Sequence, residues 1–120
     1  MEISREVNEI ILKSYDFAKS NKDEFITAEH LLYGITFEDR FINALEELNY
    51  NAIDLRKKLD EYISEYIEEG NTDSPVESYS FQQVILTSGE QAMASGKNVI
   101  EIEHILSVIY MMEDSYALYF

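Results

Sequence analysis

Apolar residues recur at helical spacing through most of the 120-residue chain. Over 5–19 they are Val7, Ile10, Ile11, Phe17 and Ala18, with Ser14 and Tyr15 alongside. This predicts an amphipathic helix with Ser4 as its N-cap. Asn21-Lys22-Asp23-Glu24 is a polar break, after which Thr27 caps a short second helix over about 28–36. Glu29 falls in its first turn, where the positive end of the helix dipole favours a carboxylate. Phe25 and Ile26, just ahead of the cap, are placed to fold back as a staple. Phe41, Ile42, Leu45 and Leu48 mark one side of a third helix over 39–48. Asn51 caps a fourth over about 52–68, with Leu55, Leu59, Tyr62, Ile63, Tyr66 and Ile67 as its apolar stripe. Residues 69–79 hold Gly70, Asn71, Asp73, Ser74 and the sole proline, Pro75, and read as a linker. Ser80-Phe81-Gln82-Gln83 has the form of a capping box and opens a fifth helix running to about Ser95. Gly96-Lys97-Asn98 is the next break, a sixth helix covers about 102–111, and a seventh element is expected to begin near Asp114.

The pattern repeats. Residues 7–40 laid over 81–114, an offset of 74, give nine identities in 34 positions without a gap. They include Ser14/Ser88, Ala18/Ala92, Ile26/Ile100, Glu29/Glu103, His30/His104 and Ile35/Ile109. A duplicated unit is the reading that accounts for this. The expected architecture is all-α: one domain over 1–120, with repeat one at about 1–68, a linker at 69–79 and repeat two at 80–120. Neither half alone is long enough for a secure core. Repeat two has no counterpart of the fourth helix, as in a trimmed chain, and the apolar surface such a helix would cover is expected to be exposed.

Composition narrows the function. Apolar residues make up 46% of the chain, enough for a core, and with four glycines and one proline a turn-rich β fold is disfavoured. No cysteine is present, so disulfides and Cys-based zinc sites are excluded. No apolar run is long enough to span a membrane, and Glu2 and Glu6 flank Arg5 where a signal peptide would be basic then apolar, so a cytoplasmic protein is expected. The net charge of −15 disfavours nucleic acid and suits partners with basic surfaces.

The candidate chemistry lies in the two Glu-His pairs, Glu29-His30 and Glu103-His104. A metal or acid-base site would need both repeats to converge, because neighbours on a helix point about 100° apart. The zincin pattern His-Glu-x-x-His is missing. The simpler reading is that each Glu serves the helix start while each His packs and hydrogen-bonds at the repeat interface. Gly89 to Lys97 lacks the spacing of a Walker A loop, and Asn98 stands where that motif needs Ser or Thr. The acidic run Asp60-Glu61 with Glu65, Glu68 and Glu69 reads as a solvated helix face. No metal and no catalytic residue is expected. A small metal- or ligand-binding enzyme built on the Glu-His pairs and a free-standing regulator are the rival readings.

Thr27-Ala28-Glu29-His30-Leu31-Leu32 resembles the Thr-x-Glu-His-Leu-Leu signature of the amino-terminal domain of Clp ATPases. Glu103-His104-Ile105-Leu106 and Ser80-Phe81-Gln82-Gln83-Val84 share the resemblance, which covers the whole chain. Asp23-Glu24-Phe25-Ile26-Thr27 and Ser80-Phe81-Gln82 look more like the ClpA branch. The Gly-Thr that precedes Glu-His in ClpC is replaced here, with Ala28 and Ile102 next to the two glutamates. The resemblance implies an all-α domain of two pseudo-symmetric repeats on a hexameric AAA+ unfoldase that feeds a ClpP-like peptidase. It implies a non-catalytic docking module, without cofactor, for a ClpS-like adaptor and protein substrates. The adaptor-facing positions carry over to Glu24, Thr27, Glu29 and Ser78, with Glu103 in the second repeat. In ClpC-like relatives the glutamates matching Glu29 and Glu103 take phosphoarginine, helped by hydroxyls that align with Ser4 and Ser78. Glu24 and Glu29 are accordingly expected on one exposed face.

Overall fold

The computed structural model describes residues 2–67, 70 and 74–111. The element expected near Asp114 lies outside the described residues. In chain order the elements are β1 (Glu2–Ile3), α1 (Arg5–Ser20), β2 (Phe25–Ile26), α2 (Ala28–Ile35), α3 (Asp39–Glu47) and α4 (Ala52–Tyr66). They are followed by β3 (Val76–Glu77), α5 (Tyr79–Ala94), β4 (Val99–Ile100) and α6 (Ile102–Met111). The fold is all-α, and its helix bounds lie within two residues of those the periodicity predicts.

The strands are two residues each, and they are what joins the halves. β1 of the first repeat pairs in parallel with β4 of the second, Glu2 opposite Val99 and Ile3 opposite Ile100. β2 pairs in parallel with β3, Phe25 opposite Val76 and Ile26 opposite Glu77. Each ladder maps onto the other at the offset of 74, so the halves are related by a pseudo-two-fold exchange of strands. Flanking hydrogen bonds repeat too: Ser4 N donates to Ile100 O at 3.0 Å, and Ser78 N donates to Ile26 O at 2.9 Å. Phe25 and Ile26 are therefore ladder residues rather than a staple; Ile26 is buried and Phe25 exposed.

Both first helices end alike. Asp23 N donates to Ala18 O and Lys22 N to Lys19 O; Lys97 N donates to Ala92 O and Gly96 N to Met93 O. This 6→1 plus 5→2 pair is a Schellman motif, which needs a left-handed residue at the turn. Gly96 takes that role with φ 75°, and Lys22 takes it with φ 57° in the first copy.

The core is shared. Val7, Ile10, Ile26, Leu31, Ile35 and Leu59 from repeat one pack in one cluster with Phe81, Val84, Ile100, Ile105, Val108 and Ile109 from repeat two. α4 contributes Leu59 and Ile63, whereas Tyr66 at the end of its expected stripe is exposed and only pairs with the Tyr62 ring at 4.8 Å. α3 has no buried residue at all, and Leu48 beyond its end is exposed. Part of the linker expected over 69–79 is structured: β3 lies inside it and α5 begins at Tyr79. The N-cap of α5 is Ser78, whose Oγ accepts from Phe81 N at 3.1 Å, rather than Ser80. The ladder fixes this choice, because it ends by turning the chain at Ser78. Among the described residues no helix is long and apolar enough to cross a membrane.

Candidate functional site

The starts of α2 and α5 meet where β2 pairs with β3, and the expected adaptor residues of both halves collect there. Val76 N donates to Glu24 O at 2.9 Å, and Ser78 N donates to Ile26 O. Ser80 Oγ accepts from Ala28 N at 3.3 Å and stands 3.0 Å from Ser78 Oγ. So the hydroxyls of α5 close the start of α2 across the pseudo-axis. Glu24, Thr27, Glu29 and Ser78 thus share one corner.

They do not share one exposed face. Glu24 is half-buried, its backbone close against Gly70, where an added Cβ would stand 3.1 Å from Glu24 Cα. Thr27 is buried, and Glu29 is only 6% exposed. The expectation that Glu24 and Glu29 both face solvent is corrected: Glu29 is an interior residue of this corner. Its counterpart Glu103 is exposed, with its carboxylate 4.0 Å from the Arg40 guanidinium. Identical motifs thus place one carboxylate inside and the other outside.

His30 ties the first corner together through hydrogen bonds on both ring nitrogens. Its ring is fully buried. Nδ1 accepts from Thr27 N–H at 3.0 Å, so that nitrogen carries no proton, and the ring proton sits on Nε2. Nε2 donates to Asp23 Oδ2 at 2.8 Å, and Asn21 Nδ2 donates to Asp23 Oδ1 at 3.0 Å. His30 thus does from the third helical position what Glu or Gln does in a capping box. Its partners all belong to repeat one, so it stabilises the start of α2 rather than the repeat interface. His104 repeats half of the arrangement, its Nδ1 accepting from Glu101 N at 2.9 Å. At the place of Asp23 stands Lys97, which is exposed and has no acceptor to offer. Among the described residues no three His, Asp or Glu side chains are grouped to hold a metal ion.

Between the first helices of the two halves lies a shallow groove of about 380 Å³, lined by Ile3, Ile11, Tyr15, Phe81, Ile85 and Leu86. It lies on the pseudo-axis, since Ile11 and Ile85 are repeat partners. Tyr15 spans it, its hydroxyl donating to Glu77 Oε2 at 2.7 Å and its ring edge-on to Phe81. Burial, the hydrogen bond to Glu77 and the Glu77 charge together push the phenol up to about 12. Neither the periodicity nor the repeat points to this groove directly. The one signal for it in the sequence is Leu86, an outward leucine more than half exposed on an otherwise amphipathic helix.

A second aromatic group caps the other side of α1. Phe17 stacks on Tyr33 at 3.9 Å, and Tyr33 meets Phe37 edge-on at 5.4 Å. Arg56 lies over the Phe37 ring and donates to Thr36 Oγ1 and Thr36 O. It thereby satisfies the end of α2, whose carbonyls lack helical partners. Burial and then Asp60 raise the Tyr33 phenol, against a lowering by Arg56.

Known proteins agree with this arrangement. A chain solved in structural investigations of a malarial protein secretion system superposes with a TM-score of 0.76 at 19% identity, over 94% of this chain and 79% of that one. The Hsp104 N-terminal domain from Candida albicans gives 0.78 at 16% identity, over 89% of this chain and 72% of that one. The N-terminal domain of the ClpV1 ATPase of an E. coli type VI secretion system gives 0.79 at 12%, over 92% and 68%. At such identities the likeness is one of fold. The profile of the Clp repeat (R) N-terminal domain, however, matches residues 2–120. With the duplicated helix pairs and the strand exchange between them, this chain belongs to the family of Clp repeat N-terminal domains.

Proposed function

We propose that this domain is the non-catalytic docking module of a cytoplasmic, hexameric Clp-type AAA+ unfoldase in protein degradation, close to the ClpA branch. It presents adaptors of the ClpS type, and through them substrates, to a motor that feeds a ClpP-like peptidase. The observation that carries the reading is the corner where the β2–β3 ladder gathers Glu24, Thr27, Glu29 and Ser78 from both halves. Its backbone is fixed by the Asp23–His30–Thr27 hydrogen bonds, so the surface is positioned before a partner arrives. Pre-ordering lowers the entropic cost of association. The net charge of −15 steers a basic partner surface toward it.

Burial divides the labour. Glu24 and Ser78 supply the reachable part of the corner, while Glu29 supports it from within. Titration of a ClpS-type adaptor tests this. Glu24→Ala should weaken binding by roughly 1 kcal/mol, about fivefold in Kd, mostly through a slower on-rate and a smaller salt dependence. Glu29→Ala should lower the melting point as well as binding. Glu61→Ala and Glu65→Ala, on α4, should leave binding unchanged. Wild-type binding by Glu24→Ala together with lost binding by Glu65→Ala would put the adaptor on another face and refute the assignment.

A further inference from the structure

α3 is the described helix with the sharpest apolar face and no buried residue. Phe41, Ile42 and Leu45 are half-buried, so its apolar side is incompletely covered. On its flank toward α6 there is an open groove of about 220 Å³, walled by Phe41, Ala44, Ile102 and Leu106. Glu38 and Glu103 stand at its rim with Arg40. The groove is smaller than the ~300–1,000 Å³ typical of small-molecule sites. It matches a single bulky apolar side chain, the kind of anchor that dominates protein interfaces.

The rim sets the charge of the residues on either side of that anchor. Glu103 is exposed, and its contact with Arg40 is at the outer limit of an ion pair, so it can still receive a cation. The lining itself therefore holds two carboxylates, Glu38 and Glu103, against one cation, Arg40. The residues matching Ile102, Glu103 and Leu106 are Ala28, Glu29 and Leu32, and all three are buried. In repeat two, by contrast, Glu103 is exposed and Leu106 half-buried.

We infer that the α3–α6 groove is a second docking site, taking a short protein segment with one bulky apolar side chain flanked by lysine or arginine. The inference rests on the docking role proposed above but uses a different surface. Apolar burial of the anchor supplies affinity, and the acidic rim supplies selection for basic flanks. The exposed setting of α3 leaves the fold tolerant of change there.

Fluorescence anisotropy of a labelled peptide carrying one Phe between lysines tests it, beside the same peptide with glutamates in place of the lysines. The lysine peptide should bind the wild-type domain and the glutamate peptide should not. Ala44→Trp, which fills the groove from an exposed position, should weaken binding roughly tenfold or more, as loss of an anchor pocket does. Glu103→Gln should weaken it by about threefold to fivefold and flatten its salt dependence. Leu86→Asp, in the α1–α5 groove, should leave binding of this peptide unchanged, and Glu24→Ala should weaken the adaptor but not this peptide. Circular dichroism on each variant confirms the fold, and the conservative Glu103→Asp should recover part of the loss. Equal binding of both peptides, no binding of either, or binding untouched by Ala44→Trp would overturn the inference. So would self-association of the wild type abolished by Ala44→Trp, which would make the occupant a second copy. If the peptide binding is lost on Glu24→Ala instead, the corner docks it and only the groove fails.

Discussion

Ser14 and Ser88 are repeat partners, both fully buried, yet their hydroxyls meet opposite fates. Ser14 Oγ reaches Ile10 O at 2.7 Å and His30 O at 3.0 Å, tying α1 to α2. Ser88 Oγ has no hydrogen-bond partner among the described residues. The cause lies on the facing helix. Gly34 lets α2 come so close that a Cβ there would stand 2.7 Å from Ile10 O and 2.8 Å from Ser14 Oγ. Its counterpart is Val108, whose isopropyl group needs the space that this contact closes. The corresponding approach of α6 to α5 is therefore barred, and with it the cross-helix bond that Ser14 makes to His30 O; the Ser88 hydroxyl makes no hydrogen bond among the described residues. Leaving a buried hydroxyl unsatisfied costs about 1–3 kcal/mol. Ser88→Ala removes that cost and only one atom of packing, so it should stabilise the fold by roughly 1 kcal/mol. Ser14→Ala removes two bonds made by one hydroxyl and should destabilise by about 1–2 kcal/mol. For a chain of this length such changes move the melting temperature by roughly 3–5 °C per kcal/mol. Thermal and urea denaturation of the two variants beside wild type decide the matter. A Ser88→Ala protein no more stable than wild type, or a Ser14→Ala protein equal to it, would refute the reasoning from Gly34 and Val108.

The histidines separate in the same way: His30→Ala strips the buried Asp23 carboxyl and the Thr27 N–H of a partner and should cost about 3 kcal/mol, whereas His104→Ala should cost about 1 kcal/mol. Urea midpoints measure both, and equal losses would undo the distinction. Tyr15 should titrate at about 12 rather than at the ordinary phenol value of 10.0. Because the fold favours the neutral phenol, its stabilising contribution is complete below the unfolded value and is lost as pH rises through the folded one. Ultraviolet titration against Tyr15→Phe identifies the signal, and Glu77→Gln should bring it down; an ordinary value in the native protein would break the link to Glu77.

The helices were legible because a 3.6-residue period carried over many turns leaves little freedom, as α4 shows with Leu55, Leu59 and Ile63. The duplication was legible because it preserves register across a whole helix pair. The ladders were not, since two residues cannot display the alternation that marks a strand, and their partners lie in the other half. The cap of α5 was misplaced for a related reason. Ser78 and Ser80 both offer a hydroxyl, and what decides between them is where β3 leaves β2. Tyr66 and Leu48 fit their helical stripes yet end exposed, because periodicity tells which face is apolar and not whether a neighbour covers it.

The burial of Glu29 has no signal in the sequence, and its reason is the difference between the halves. Glu-His at a helix start specifies the local hydrogen bond, and both copies make it: His30 to Thr27 N, His104 to Glu101 N. Whether the preceding glutamate meets water depends on everything packed around that start. In repeat one, Asp23, Gly34 and the Ser80 hydroxyl draw α1, α2 and the start of α5 together, and the corner is closed. In repeat two the corresponding residues to Asp23 and Gly34 are Lys97 and Val108, which supply neither the acceptor nor the close approach. The frame is the same, but the second copy has an unpartnered Ser88 within and an exposed Glu103 beside the α3–α6 groove. A duplicated fold can keep one copy of a site for rigidity and leave the other open to partners, because the strand exchange carries the stability of each half into the other.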